Sequence, residues 1–184
     1  FAGVDIAVIR LPRIANIDDF DALEAEADVR VRYVDSVEGL GGADLVIIPG
    51  TKSTAADLEW LRATGLAGDI VARASAGLPV LGVCGGFQML GNRIEDPGGI
   101  ESSLASVPGL GLVPALTTFT SEKDTRQCQA RFTNSRGLFG GLDGFDIEGY
   151  EIHAGRTELG SSPALVRHDG GPVGAADASG WVAG

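Results

Sequence analysis

Histidine is scarce in this chain, and so are cysteine and positive charge. The two histidines, His153 and His168, and two cysteines, Cys84 and Cys128, form no cluster with zinc-ligand spacing, so no metal site is expected. Two cysteines in 184 residues make no disulfide framework, which fits a reducing cytoplasm. Fourteen Lys and Arg stand against 25 Asp and Glu, a net charge of −11. That balance argues against nucleic acid and anionic membranes as partners, because both demand a basic face. Arg30 and Arg32 alternate along one segment and read as a solvated strand face. No apolar run approaches the ~20 residues that span a bilayer, and the N-terminus lacks a signal-peptide pattern. The phosphate-loop spacing G-x-x-x-x-G-K-[ST] is also missing.

What is present is a glycine-rich globular composition: 44% hydrophobic, 21% charged, with 28 glycines. This suits one domain with a sizeable core. Residues 4–11 form a nearly unbroken apolar run, the pattern of a strand covered on both faces in a parallel sheet, stopped by Pro12. Residues 16–23 read as a short helix capped by Asp18 or Asp19. Residues 29–34 alternate like a strand near the sheet edge, and residues 45–48 are a short, wholly apolar strand. The turn Pro49-Gly-Thr-Lys-Ser-Thr54 follows, with Ser53 or Thr54 capping a helix that runs to about Thr64. Residues 66–76 are a second helix ended by Gly77, and residues 79–83 are the next strand. This alternation predicts a doubly wound α/β sheet. After the loop 96–99 and irregular surface at 102–110 come short strands at 111–116, 127–133, 145–152, 165–168 and 173–176, an added antiparallel layer.

The richest stretch is Leu78-Pro-Val-Leu-Gly-Val-Cys84-Gly-Gly-Phe-Gln88-Met-Leu-Gly91. It places Cys84 on a tight strand-to-helix turn, where Gly85 and Gly86 permit the sharp bend and the close approach of a substrate. The positive end of a helix favours a thiolate, so Cys84 is a candidate nucleophile. Attack on a carbonyl needs donors for the developing oxyanion. The candidates are the Gly85 amide and an amide of the Gly50-Thr51 turn on the neighbouring strand end. Cys128 lies mid-strand and reads as packing. Neither histidine is assigned as base by spacing, and amidases, cysteine peptidases and thiol stress proteins all share such a layout.

The run Gly82-Val-Cys84-Gly-Gly-Phe-Gln88-Met-Leu-Gly91 resembles the nucleophile motif of class I glutamine amidotransferases, and Pro49-Gly50 resembles their oxyanion loop. Five further segments resemble the CobB/CobQ-like amidotransferase half of cobyric acid synthase. They are residues 5–13 with 16–21, then Pro49-Gly-Thr-Lys-Ser-Thr54, Asp96-Pro-Gly-Gly99, Glu122-Lys-Asp-Thr-Arg-Gln127 and Gly149-Tyr-Glu-Ile-His-Ala-Gly-Arg-Thr157. The matches run in order along essentially the whole chain. Cobyrinic acid a,c-diamide synthase and the subunit that amidates cell-wall lipid II share the cysteine turn and fit the remaining segments less well.

The resemblance implies a three-layer, flavodoxin-like α/β fold with a mostly parallel sheet and added antiparallel strands, residues 1–184 being one amidotransferase domain. It implies a cysteinyl thioester on Cys84 that releases ammonia from glutamine, with Gln88 helping to hold that substrate. The ammonia would pass to an ATP-dependent synthetase domain, expected before Phe1, that amidates carboxylates of adenosylcobyrinic a,c-diamide on the way to cobalamin. ATP and Mg belong to that domain; this one needs no cofactor. In the family the catalytic histidine follows a strand that Trp181-Val-Ala-Gly184 would begin, so it is expected beyond Gly184, and the chain alone is expected to be weakly active or inactive. His153 belongs to a different motif. Arg126, Arg156 and residues 150–153 would line the site or the face that meets the synthetase. The alternatives are an amidotransferase partner of another ATP-dependent ligase, or a non-catalytic scaffold of the same fold.

Overall fold

A computed structural model describes residues 1–133, 139–160 and 163–175. Its centre is a four-stranded parallel sheet in the order β2-β1-β3-β4, made of β1 (Val4–Ile9), β2 (Val29–Val34), β3 (Leu45–Ile48) and β4 (Val80–Gly82). All of β3 and all but the first residue of β1 are buried, as apolar runs covered on both faces should be. Alternate residues serve opposite faces. Ala7, Ile9, Val46 and Ile48 pack with α2 (Thr54–Ala63) and α3 (Leu66–Ser75). Ile6, Val8, Leu45 and Ile47 pack on Phe20, which precedes the one-turn α1 (Asp21–Glu24). Leu58, Leu61, Leu66 and Ile70 fall at helical spacing and have no exposed surface, each stabilising the fold by about 2 kcal/mol through burial. These are the three expected layers. No helix among the described residues is long and apolar enough to cross a membrane.

The second half forms a second, six-stranded sheet. The remaining elements are α4 (Gly85–Leu90), β5 (Arg93–Glu95), β6 (Ser106–Pro108), β7 (Ala115–Phe132), β8 (Asp146–Leu159), β9 (Pro163–Arg167) and β10 (Pro172–Ala175). The strands run β10-β9-β7-β5-β6 with β8 also paired to β7, and all these pairs are antiparallel except β5 with β7.

Several local expectations need correction. The segments 111–116 and 127–133 do not form two short strands. Residues 115–132 are one long strand, because the polar stretch between them pairs with β8, from Lys123 opposite Ala154 to Arg131 opposite Asp146. β8 correspondingly runs on to Leu159. The surface at 102–110, expected to be irregular, contains β6, held by β5, which the sequence reading also missed. Neither Asp18 nor Asp19 caps the helical segment with its side chain. Arg30 and Arg32 are not merely a solvated face. The parallel register sets Asp5 beside Arg30 and Ala7 beside Arg32, and both guanidinium groups bond to the buried Asp5 carboxylate, Arg32 Nε at 2.8 Å. The strand expected to begin at Trp181, and Ala176, lie outside the described residues.

Candidate active site

β3 and β4 are parallel neighbours, with Ile48 opposite Gly82, so the turns leaving their carboxyl ends meet at one edge of the sheet. One turn is 49–54 and the other carries Cys84. Cys84 has φ 50° and ψ −112°, and among the described residues it is the one non-glycine with positive φ. This conformation costs about 1–3 kcal/mol and is held by what surrounds it. Three glycines make the turn possible. A Cβ on Gly86 would come within 2.0 Å of the Ile48 carbonyl oxygen, and one on Gly82 within 2.7 Å of the Gly86 oxygen. A Cβ on Gly85 would lie 2.8 Å from the Thr51 methyl and 3.3 Å from the Thr51 nitrogen. Backbone thus packs on backbone, and the two turns touch.

The 49–54 turn is clamped from α2. Asp57, fully buried, accepts from the Arg13 amide at 3.1 Å, the Arg13 guanidinium at 2.9 Å and the Thr51 hydroxyl at 2.5 Å. Two backbone bonds add to this, from Ala15 N–H to Gly50 O and from Lys52 N–H to Arg13 O; neither uses the N–H of Thr51. Gly50 lies beside Cys84, a Cβ there being 3.6 Å from the Cys84 Cβ.

The α2 N-terminus departs from expectation. Ser53 occupies the capping position but makes no side-chain cap, and Thr54 is the first helical residue. The cap comes from Glu101, remote in sequence, whose carboxylate accepts the amides of Thr54 at 2.8 Å and Ala55 at 3.2 Å. Asp96 places Glu101: its buried carboxylate accepts the amides of Ile100, Glu101 and Ser102 at 2.7–2.8 Å, curling the 96–102 loop. Burial pushes the Asp96 pKa upward, but those amides outweigh it and hold it below the ordinary carboxylate value. For Glu101 burial prevails over the amides of Ala55 and Thr54, and its pKa is raised.

Gln88, one helical turn past Cys84, is buried and bonded to Thr54. Cys84, Gly50, Thr51, Gly85 and Gln88 all line one cavity of about 1100 Å³. Its far wall belongs to the antiparallel layer and carries Arg126, Tyr150 and Arg156. The cavity also receives Glu101, Thr54 and Lys52, and Glu101 and Asp57 were not anticipated as parts of the site. Glu101 acts 47 residues from Thr54, and Asp57, though only six residues from Thr51, reaches Arg13 across 44, so those long-range contacts leave no local signal. His168 does not line the cavity; it sits at the end of β9 with its ring 3.0 Å from Asp146. His153 pairs through its backbone with Asp124, and its side chain lies outside the described residues. Cys128 is half-buried in β7 and forms no disulfide.

A cysteine on a positive-φ strand-to-helix turn, touching a second backbone turn that lines the same cavity, is an arrangement suited to acyl transfer. The sequence decides the family: residues 5–184 match the CobB/CobQ-like glutamine amidotransferase domain. The chain belongs to that family. Among similar proteins, cobyric acid synthase of Dehalococcoides mccartyi is 49% identical over 174 residues, covering 95% of this chain and 34% of that protein. The Moorella thermoacetica cobyric acid synthase is 47% identical over 156 residues, covering 85% and 30%. That of Citrobacter koseri is 44% identical over 170 residues, covering 91% and 33%. The chain therefore spans about a third of the length of these relatives. The structure of PurLQS from Thermotoga maritima superposes with a TM-score of 0.73 at 18% identity, over 98% of this chain and 85% of that one. A crystal structure of a glutamine amidotransferase gives 0.69 at 17%, over 97% and 87%. The fold is that of the class I glutamine amidotransferases, with its mostly parallel sheet and added antiparallel strands.

Proposed function

We propose that this amidotransferase domain hydrolyses glutamine through a thioester on Cys84 and supplies the ammonia for cobyric acid synthesis. The observation that carries the reading is the Cys84 turn, strained at φ 50° and lining the same cavity as the Gly50-Thr51 turn. In the proposed reaction the Cys84 sulfur attacks the side-chain amide carbon of glutamine. The N–H groups of Gly85 and of the Gly50-Thr51 turn receive the oxyanion. Collapse of the tetrahedral intermediate expels ammonia once the leaving nitrogen is protonated, and water then cleaves the thioester to glutamate. Gln88 helps to hold the substrate. The ammonia passes to an ATP- and Mg-dependent synthetase part of the protein, which activates and amidates carboxylates of adenosylcobyrinic a,c-diamide. The names of the relatives support this destination, as does the third of their length that the chain spans.

The proton for the leaving nitrogen is assigned to neither histidine here. His168 is bonded to Asp146 away from the cavity, and the 184 residues alone are proposed to turn glutamine over weakly. The decisive experiment treats the intact protein with 6-diazo-5-oxo-norleucine, an alkylating glutamine analogue, and maps the adduct by mass spectrometry. Labelling of Cys84, blocked by excess glutamine and accompanied by loss of glutaminase activity, is the expected result. Failure to label Cys84 in a protein that still hydrolyses glutamine sinks the assignment; absence of both labelling and hydrolysis favours the scaffold alternative.

A further inference from the structure

The cavity wall carries cations at Lys52, Arg126, Arg156 and Arg167, and among the described residues its acids are Asp19 and Glu101. Glutamine is a zwitterion, so a site that selects it over simpler amides needs an anion for its α-ammonium. The two acids differ in how much of their charge water leaves intact. Asp19 is exposed, and its attraction for a cation is screened. Glu101 is half-buried and fixed in place: the buried Asp96 carboxylate holds its amide at 2.8 Å, and its own Oε2 accepts the Thr54 and Ala55 amides.

Neutral donors alone meet this charge. The two amides and the Thr54 hydroxyl, 3.2 Å from Oε1, take three of the roughly four lone-pair positions of a carboxylate, and Oε1 keeps one. Among the described residues no cation pairs with Glu101. Burial outweighs the helix amides, and the neighbouring Asp96 adds its repulsion, so the Glu101 pKa is raised and a ligand cation would relieve the imbalance. Distance agrees. A Cβ on Gly85, next to the nucleophile, would lie 3.2 Å from the Thr54 hydroxyl oxygen, which is itself 3.2 Å from Glu101 Oε1. An extended glutamine places its α-nitrogen about 5 Å from its amide carbon. A substrate whose amide lies over the Cys84–Gly85 turn therefore reaches Glu101 with its ammonium. We propose that Glu101 binds the α-ammonium of glutamine, accepting one N–H on Oε1 while Oε2 caps α2. This rests on the reading of the cavity as a glutamine site, and it makes the Asp96–Glu101 loop the element that tells the amino acid from a plain carboxamide.

The test compares glutamine with glutaramate, the same molecule without its α-amino group, on the intact wild-type protein and on Glu101→Gln. The substitution keeps the shape and an oxygen for the α2 amides, and it removes the charge. In Glu101→Gln the KM for glutamine is expected to rise about 10-fold or more with kcat within about 3-fold of wild type. The kcat/KM for glutaramate is expected to change less than about 3-fold, so the preference for glutamine shrinks by the same factor by which KM rises. Where glutaramate is hydrolysed too slowly to follow, its inhibition constant against glutamine supplies the same comparison. Asp19→Asn is expected to leave the KM for glutamine within about 2-fold. An unchanged KM for glutamine in Glu101→Gln overturns the inference. So does an equal loss on both substrates, which is what a purely structural cap would produce, or a larger rise in KM from Asp19→Asn than from Glu101→Gln. Those outcomes leave the glutaminase reading standing, whereas a wild-type protein that hydrolyses no glutamine overturns both.

Discussion

The proposed reaction places two demands on Cys84, a reactive thiol and a backbone conformation that side chains disfavour. The conformation persists because Gly82, Gly85 and Gly86 have no Cβ to hold the turns apart. Strain of this kind is measurable by comparing two inactive variants. Cys84→Gly is expected to be about 1 kcal/mol more stable than Cys84→Ala in urea unfolding, because glycine adopts positive φ without penalty. Equal stabilities would mean that the turn relaxes in solution. Gly86→Ala is the converse case: its methyl would sit 2.0 Å from the Ile48 oxygen, and a loss of about 3 kcal/mol or more is expected, along with labelling of Cys84. The motif was readable from sequence because glycine spacing after a strand is a local signal. The sign of φ at Cys84 was not, since the contacts that impose it come from β3.

At the level of elements, α2 organises the site from behind. Its buried Asp57 ties the Arg13 segment to the Thr51 turn, and its N-terminus receives Glu101 from a distant loop. Asp57→Ala removes the nearer of the two acceptors of the Thr51 hydroxyl, leaving the Arg13 carbonyl at 3.1 Å, while the half-exposed Arg13 guanidinium regains water. The expected cost is about 2 kcal/mol of stability, with at least about a 10-fold loss in kcat/KM as the proposed oxyanion turn loosens. Thermal unfolding and glutaminase kinetics on the same preparation separate the two, and a stability loss with unchanged kcat/KM would remove the turn from the catalytic apparatus. The α2 helix itself was legible from Leu58 and Leu61 at helical spacing. Its cap was misread, because Ser53 and Thr54 carry the ordinary local signature while the actual acceptor comes from residue 101.

For the whole molecule, charge and pH enter together. Burial pushes the Asp5 pKa upward, but hydrogen bonds and the charges of Arg32 and Arg30 prevail and lower it; Asp96 is lowered by its loop amides against the same burial. A carboxylate whose folded pKa lies below its unfolded value adds stability above the unfolded value, about 3.9 for Asp, and loses it as pH falls through the folded one. The protein is therefore expected to weaken below about pH 4. Asp5→Asn and Asp96→Asn are expected to lower stability at pH 7 and to flatten its decline on acidification. Urea midpoints measured from pH 7 down to pH 3 check this, and parallel curves for wild type and variants would contradict it.

The alternation of apolar runs at 4–11, 45–48 and 79–83 with amphipathic segments was sufficient to specify the parallel sheet, its covering helices and the place of Cys84 at a strand end. Those features depend on residues adjacent in the chain. The polar stretch 123–126 did not announce itself as strand, because its partner is β8, and an antiparallel ladder reads in the sequence of neither strand alone. Arg30 and Arg32 looked solvated until the parallel register with β1 brought Asp5 between them. Sequence by itself determined the fold class and the turn on which Cys84 sits, since hydrophobic periodicity and turn glycines act locally. Tertiary structure decided which acids support the candidate site, because Glu101 reaches Thr54 and Asp57 reaches Arg13 only through contacts that folding makes across more than forty residues of chain.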